Sequence, residues 1–210
     1  MRGVYEDCKS KIIAIGDLHG DILQLLSILK GSKLIEHKKK KTCINEADSD
    51  IKNWNWIGGD TYLVQMGDIF DGGGRKLIDD FQDNEVEILI FLIKLKSKAK
   101  RKGGNVLIIF GNHELMNFEN NFNYVQHESK YKCILNNEKT LQKNPKALKF
   151  KKTKNKCRDR EKLFKRGKDG VLAKLMSKYC YGILNIRGNI FCHGGLKLEI
   201  AEKYSINKMN

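Results

Sequence analysis

Four short clusters carry most of the residues that could do chemistry: Gly16-Asp17-Leu18-His19-Gly20, Gly67-Asp68-Ile69-Phe70-Asp71, Gly111-Asn112-His113-Glu114 and His193-Gly194-Gly195. Each sets a carboxylate, an imidazole or an amide oxygen beside glycine. Asp, His and Asn are hard or borderline ligands suited to divalent manganese, iron or zinc. Neighbouring glycines let the backbone turn sharply and approach an anionic substrate. Two cations roughly 3.5 to 4 Å apart need a carboxylate that bridges them, and Asp68, in the second cluster, is the natural bridge. Taken singly, a Gly-Asp is a turn, and a histidine at a strand end is a structural residue. Four such clusters holding three of the five histidines point instead to a metal site. His37 and His127 lie in polar stretches read as loops and receive no role.

The elements that must position these clusters follow from hydrophobic spacing. Lys11–Ile15 (KIIAI) reads as a strand ending at Gly16, and Asp21–Lys30 carries Ile22, Leu25, Leu26 and Leu29 at helical spacing. A polar stretch from Gly31 to Gly59 holds Trp54 and Trp56 near its end. Thr61–Met66 then reads as a second strand, stopping at Gly67. Asn84–Arg101 reads as a helix closed by basic residues and Gly103-Gly104, and Asn105–Phe110 as a third strand ending at Gly111. Beyond it, Asp169–Tyr179 has helical spacing, and YGILNI and NIFCH flank a hairpin turn at Arg187-Gly188. Strands alternating with helices predict an α/β architecture with a partly parallel sheet. Ligands of such sheets collect beyond the carboxyl ends of the strands, where the clusters lie.

The 210 residues are enough for one domain, expected to run over 1–210, with a sizeable core. No apolar run is long enough to span a bilayer; the longest, Ile88–Ile93, has six residues, and the N-terminus lacks a signal-peptide pattern. The six cysteines form no C-x-x-C pair, which argues against a zinc ribbon or a disulfide framework and for a reduced, cytoplasmic protein. The net charge of +15 is concentrated: residues 143–168 hold 13 Lys or Arg against Asp159 and Glu161. With only Phe150 and Phe164 as aromatics, that segment lacks the interleaved rings of single-strand binders. It is expected to be a solvated basic insertion, offering at most a weak contact to nucleic acid or an acidic partner.

GDLHG, GDIFD, GNHE and HGGL resemble, in this order, the signature blocks of the calcineurin-like metallophosphoesterases in their phosphoprotein phosphatase branch. WNWIGGDTYLVQMGD, GNHELMNFENNFNYV and REKLFKRGKDGVLAKLM are similar to the Shewanella-like protein phosphatases. The resemblance implies layered β-sheets flanked by helices and a phosphomonoesterase acting on phosphoserine, phosphothreonine or phosphotyrosine in proteins. It implies two divalent ions, manganese first, with iron or zinc as alternatives. Asp17 and His19 would bind one ion, Asp68 would bridge, and Asn112 and His193 would hold the second, with Asn112 also near the substrate phosphate. His113 would be the general acid, oriented by Asp71, while a hydroxide polarised by both cations attacks phosphorus in line.

Two positions depart from the family pattern. Asp71 is followed by three glycines and then Arg75, where the family has Asp-Arg-Gly with a phosphate-binding arginine. Arg75 is therefore the candidate phosphate ligand. The family also places a further metal-binding histidine well downstream of HGGL, and no histidine follows His193 here, so the fold is expected to be C-terminally incomplete. The same metal site could serve a dinucleoside polyphosphate or nucleic-acid phosphodiester hydrolase. A basic binding module without catalysis is the alternative from another class.

Overall fold

The computed structural model of the chain describes residues 3–6, 10–72, 84–125, 132–134, 150–152, 159–165 and 170–210. In chain order the elements begin with β1 (Val4–Tyr5), β2 (Ile12–Ile15), α1 (Ile22–Gly31), β3 (Ile35–His37), β4 (Trp54–Trp56) and β5 (Tyr62–Gln65). They continue with α2 (Glu85–Lys100), β6 (Asn105–Ile109), α3 (Asn112–Phe118), β7 (Lys132–Ile134), β8 (Phe150–Lys152) and α4 (Asp159–Phe164). The last are α5 (Val171–Tyr179), β9 (Cys180–Tyr181), β10 (Ile183–Ile186), β11 (Asn189–Cys192), α6 (Leu198–Lys203) and α7 (Ile206–Met209).

Four strands form a wholly parallel sheet in the order β2-β5-β6-β9. Period-two alternation sorts its side chains between two cores. Leu63, Val106 and Ile108 face the helices, where they pack with Leu25, Leu26 and Leu29 of α1 and Ile88, Leu89 and Leu92 of α2. Val64, Leu107 and Ile109 face the other way, towards Leu184 and Ile186 of the second sheet, whose order is β1-β10-β11. The architecture is therefore α/β, two sheets back to back with helices on the outer face of the parallel one.

Local chemistry explains the elements. Asp21 caps α1 by accepting the amide of Gln24 at 2.8 Å. The longest helix, α2, opens on Glu85 and Glu87 and closes on Lys98 and Lys100, charges that complement its dipole. Ile88 to Ile93 are all buried, as expected of a helix covered on most sides. At the β10–β11 turn, Arg187 (φ 54°) and Gly188 (φ 79°) both adopt the left-handed conformation that a two-residue hairpin needs.

The structure corrects three expectations. The polar stretch from Gly31 to Gly59 contains the antiparallel pair β3–β4, in which His37 and Trp54 are buried rather than looped out. YGILNI is not one strand: Tyr181 ends β9 in the parallel sheet, and Ile183 begins β10 in the other. The basic segment 143–168 is not solvated throughout. Only 150–152 and 159–165 of it are described; β8 pairs with β7, and α4 buries Arg160 and Phe164.

Candidate metal centre

All three parallel strands that carry a cluster end at the same edge, and the turns after them are tied to one another. The amides of Leu18 and His19 donate to the Asp68 carbonyl at 2.9 and 3.0 Å, and Gly20 donates to the Ile69 carbonyl at 2.8 Å. Gln65, fully buried, brackets the turn at Gly67 by donating to its carbonyl and accepting its amide. Glu114 is buried at the start of α3, and its carboxylate accepts the amides of Asp68, Ile69, Phe70 and Gly111. Burial pushes the Glu114 pKa up to about 7, against the downward pull of these backbone donors. Glycine at position 111 is a steric requirement, since a Cβ there would sit 2.2 Å from Asp68 Oδ1. Three residues of the cluster hold left-handed backbone: His19 (φ 45°), Asp68 (φ 52°) and Asp71 (φ 65°). Each costs of order 1 to 3 kcal/mol, and such strain concentrates at functional sites.

The imidazoles show what the cluster is shaped to hold. His193 Nδ1 lies 2.8 Å from the Met66 carbonyl, which can only accept, so this nitrogen carries the hydrogen. The other ring nitrogen, Nε2, then faces Asn112 Oδ1 at 2.8 Å and Asp68 Oδ2 at 3.3 Å. An imidazole nitrogen, an amide oxygen and a carboxylate oxygen converging in this way form a donor set suited to a divalent cation. His19 repeats the arrangement: Nδ1 faces the carbonyls of Phe70 and Asp71 at 3.0 and 3.1 Å, leaving Nε2 towards Asp17 Oδ2 at 3.7 Å. Ligand atoms of Asp17, Asp68 and His193 lie within 4.8 Å of one another, as do those of His19, Asp68 and His113. Asp68 belongs to both groups. The donor set of carboxylate, imidazole and amide oxygen fits divalent cations, and the backbone acceptors behind His19 and His193 fix their ring orientation as in known metal sites.

Asp17, His19, Asp68, Asn112, His113 and His193 are thus brought together, and Asp71 stands behind His113. His113 Nδ1 lies 3.2 Å from Asp71 Oδ2, and its Nε2 is 4.0 Å from Asp68 Oδ2. Arg75 lies outside the described residues. Sequence reasoning missed a second set of residues behind Asp71. Asn117 Nδ2 donates to Asp71 Oδ2 at 2.8 Å; Arg160 Nη2 donates to Asp71 Oδ1 at 2.7 Å, and Arg160 also pairs with Glu85. Burial raises the Asp71 pKa above the ordinary range, while Arg160 and Asn117 pull it down. The available signal was the REKLFKRGKDG stretch, whose arginine at 160 was counted with the surface charge.

A model of the calcineurin-like phosphoesterase family matches residues 10–210. Shewanella-like protein phosphatase 2 of Arabidopsis thaliana is 31% identical over 95% of the chain, and Shewanella-like protein phosphatase 1 of Plasmodium berghei is 42% identical over 58% of it. The chain spans 50% and 27% of these relatives' own lengths. The crystal structure of a cold-active protein-tyrosine phosphatase from a psychrophilic Shewanella superimposes with a TM-score of 0.65 at 25% identity, over 99% of this chain and 49% of that one.

Proposed function

Because the chain belongs to the calcineurin-like phosphoesterase family, we propose that it hydrolyses phosphate monoesters with two divalent cations, and that its substrate is a phosphorylated protein. The observation that carries this reading is the convergence of His193 Nε2, Asn112 Oδ1 and Asp68 Oδ2, with Asp68 shared by both candidate ligand groups. Asp17 and His19 would hold one ion and Asn112 and His193 the other, with Asp68, which belongs to both candidate groups, available to each. When bound, such a pair of ions neutralises phosphate charge and lowers the pKa of water. Manganese is the first candidate, with iron or zinc as alternatives.

The chain's own groups do the rest. Asn112, exposed beside His193, is also placed to donate its amide N–H to a phosphate oxygen. His113 presents Nε2 on the side of Asp68, with Nδ1 anchored on Asp71, so a proton held at Nε2 can pass to the leaving alkoxide. Arg75 remains the candidate phosphate ligand, on the glycine-rich stretch after Asp71. Protein phosphoesters are favoured as substrates by the relatives named protein phosphatases and by the inward-facing Arg160, which removes one charge from the basic surface a nucleic acid would use. No helix among the described residues is long and apolar enough to cross a membrane. Cys43, Cys180 and Cys192 are free thiols, consistent with a reducing compartment such as the cytoplasm.

The test is release of phosphate from phosphotyrosine and phosphoserine peptides with added manganese. We expect turnover that a chelator abolishes and manganese restores. Turnover insensitive to chelator, or none with any divalent metal, would reject the proposal.

A further inference from the structure

Arg160 lies within the most basic part of the chain, yet it is 8% exposed and its guanidinium is directed inward. The fork grips three residues from three other places in the sequence. Nε donates to Asn117 Oδ1 at 2.6 Å, Nη2 to Asp71 Oδ1 at 2.7 Å and to Glu85 Oε2 at 3.1 Å, and Nη1 to Glu85 Oε1. The guanidinium also rests near the adjoining rings of Phe70 and Phe164, 6.0 and 5.5 Å from their centroids. So engaged, it is poorly placed to bind a substrate phosphate.

Its effect on His113 runs by two routes. Directly, it fixes Asp71 Oδ1, which leaves Oδ2 to face His113 Nδ1 at 3.2 Å. Indirectly, it fixes Asn117: with Oδ1 accepting from Arg160, the amide must present Nδ2, which donates to Asp71 Oδ2 and to the His113 carbonyl, both at 2.8 Å. Glu85, the third acceptor, also takes the Asp71 amide at 2.9 Å. Asp71 is therefore held at both carboxylate oxygens and at its own backbone. We infer that Arg160 is a positioning residue for the general acid, fixing the His113 ring through Asp71 and Asn117.

The inference rests on the proposed phosphoesterase reading, and its signature is dependence on the leaving group. An alkoxide of high pKa needs the proton from His113; nitrophenolate does not. In Arg160→Gln we expect kcat for phenyl phosphate to fall about 30-fold and for p-nitrophenyl phosphate by less than about 3-fold, with KM and bound manganese unchanged. Arg160→Lys, which keeps charge but loses the fork, should fall between. Equal losses on both esters, or no loss, would overturn the inference and leave only a structural role. Should Arg160→Gln not fold, the leaving-group bias of Arg160→Lys decides by the same criterion. A second readout needs no turnover: the ring 15N shifts of His113 should report Nδ1–H bonded to Asp71 in the native protein and lose that state in the variant. Should the native protein itself be inactive on both esters, a His113 ring disturbed in Arg160→Gln would keep the positioning role and reject the phosphoesterase reading; unchanged shifts would reject the positioning role.

Discussion

Two buried His–Asp pairs occupy opposite kinds of corner in this molecule. His37 on β3 faces Asp48, and His113 on α3 faces Asp71, with nitrogen–oxygen distances of 3.1 and 3.2 Å. Composition does not separate them; their second partners do. His37 Nδ1 accepts the Lys39 amide, its ring meets Trp54 edge to face, and Asp48 is consumed by Lys41 Nζ, the Asn45 amide and, through its carbonyl, the Trp54 indole. That pair stays local and ties β3 to the helical turn at 46–49 in its own connection to β4. His113 instead sends its second nitrogen towards Asp68 and is grouped with His19, while Asp71 is braced from behind by Asn117 and Arg160. A histidine–carboxylate pair becomes functional when one end is fixed and the other faces unmatched acceptors.

The sharpest way to break this contrast is to neutralise the carboxylates. Asp68→Asn should lower phosphatase turnover about a thousandfold or more, because several kcal/mol of charge stabilisation are removed, with modest change in thermal stability. Asp48→Asn should do the reverse, leaving turnover within about 2-fold and lowering the melting temperature by weakening the contacts to Lys41 and His37. Thermal melts and initial rates on the same preparations check both. Next in size are the histidines. His113→Ala should reduce kcat by roughly 10² to 10⁴ on an alkyl phosphate, whereas His37→Ala should leave kcat alone and lower the melting temperature. Equal behaviour of the two alanine variants would erase the distinction.

The smallest effect concerns a charge in neither corner. Lys96 on α2 is largely buried near the Tyr181 ring, and burial lowers its pKa to about 8. Between about 8 and 10.5 the unfolded chain holds a proton that the folded chain has released, so Lys96 makes stability rise with pH across that window. Below it, the folded state carries the full penalty of the buried ammonium. Lys96→Met should therefore stabilise the protein by about 1 kcal/mol at pH 7, with the gain fading towards pH 10.5 and turnover unaffected. Urea unfolding at the two pH values checks it.

The clusters at the strand ends were legible in the sequence because each is contiguous and bounded by glycine. Asp17, Asp68, Asn112 and His193 needed only the parallel order of β2, β5 and β6, and the return of β11, to meet. The brace behind them was not legible. Glu85 reads as an ordinary acidic start to a helix, Asn117 as a polar residue inside one, and Arg160 as one more charge among 13. Their meaning comes from contacts 43 to 89 residues apart, which spacing does not reveal. His37 was misread for a local reason: its strand has three residues, too few to show alternation against a background of lysines. The two-residue β9 was hidden in the same way, because a single glycine separates it from β10.

The proposed function depends on Asp68 being able to share its carboxylate between two cations. Calorimetric titration of the metal-free protein with manganese, confirmed by elemental analysis after gel filtration, puts this to the test. The native chain should take up two ions with the histidine ring protons of His19 and His193 both perturbed, and Asp68→Asn should lose both ions together. Retention of one full-affinity ion in Asp68→Asn, or no uptake by the native chain, would contradict the account.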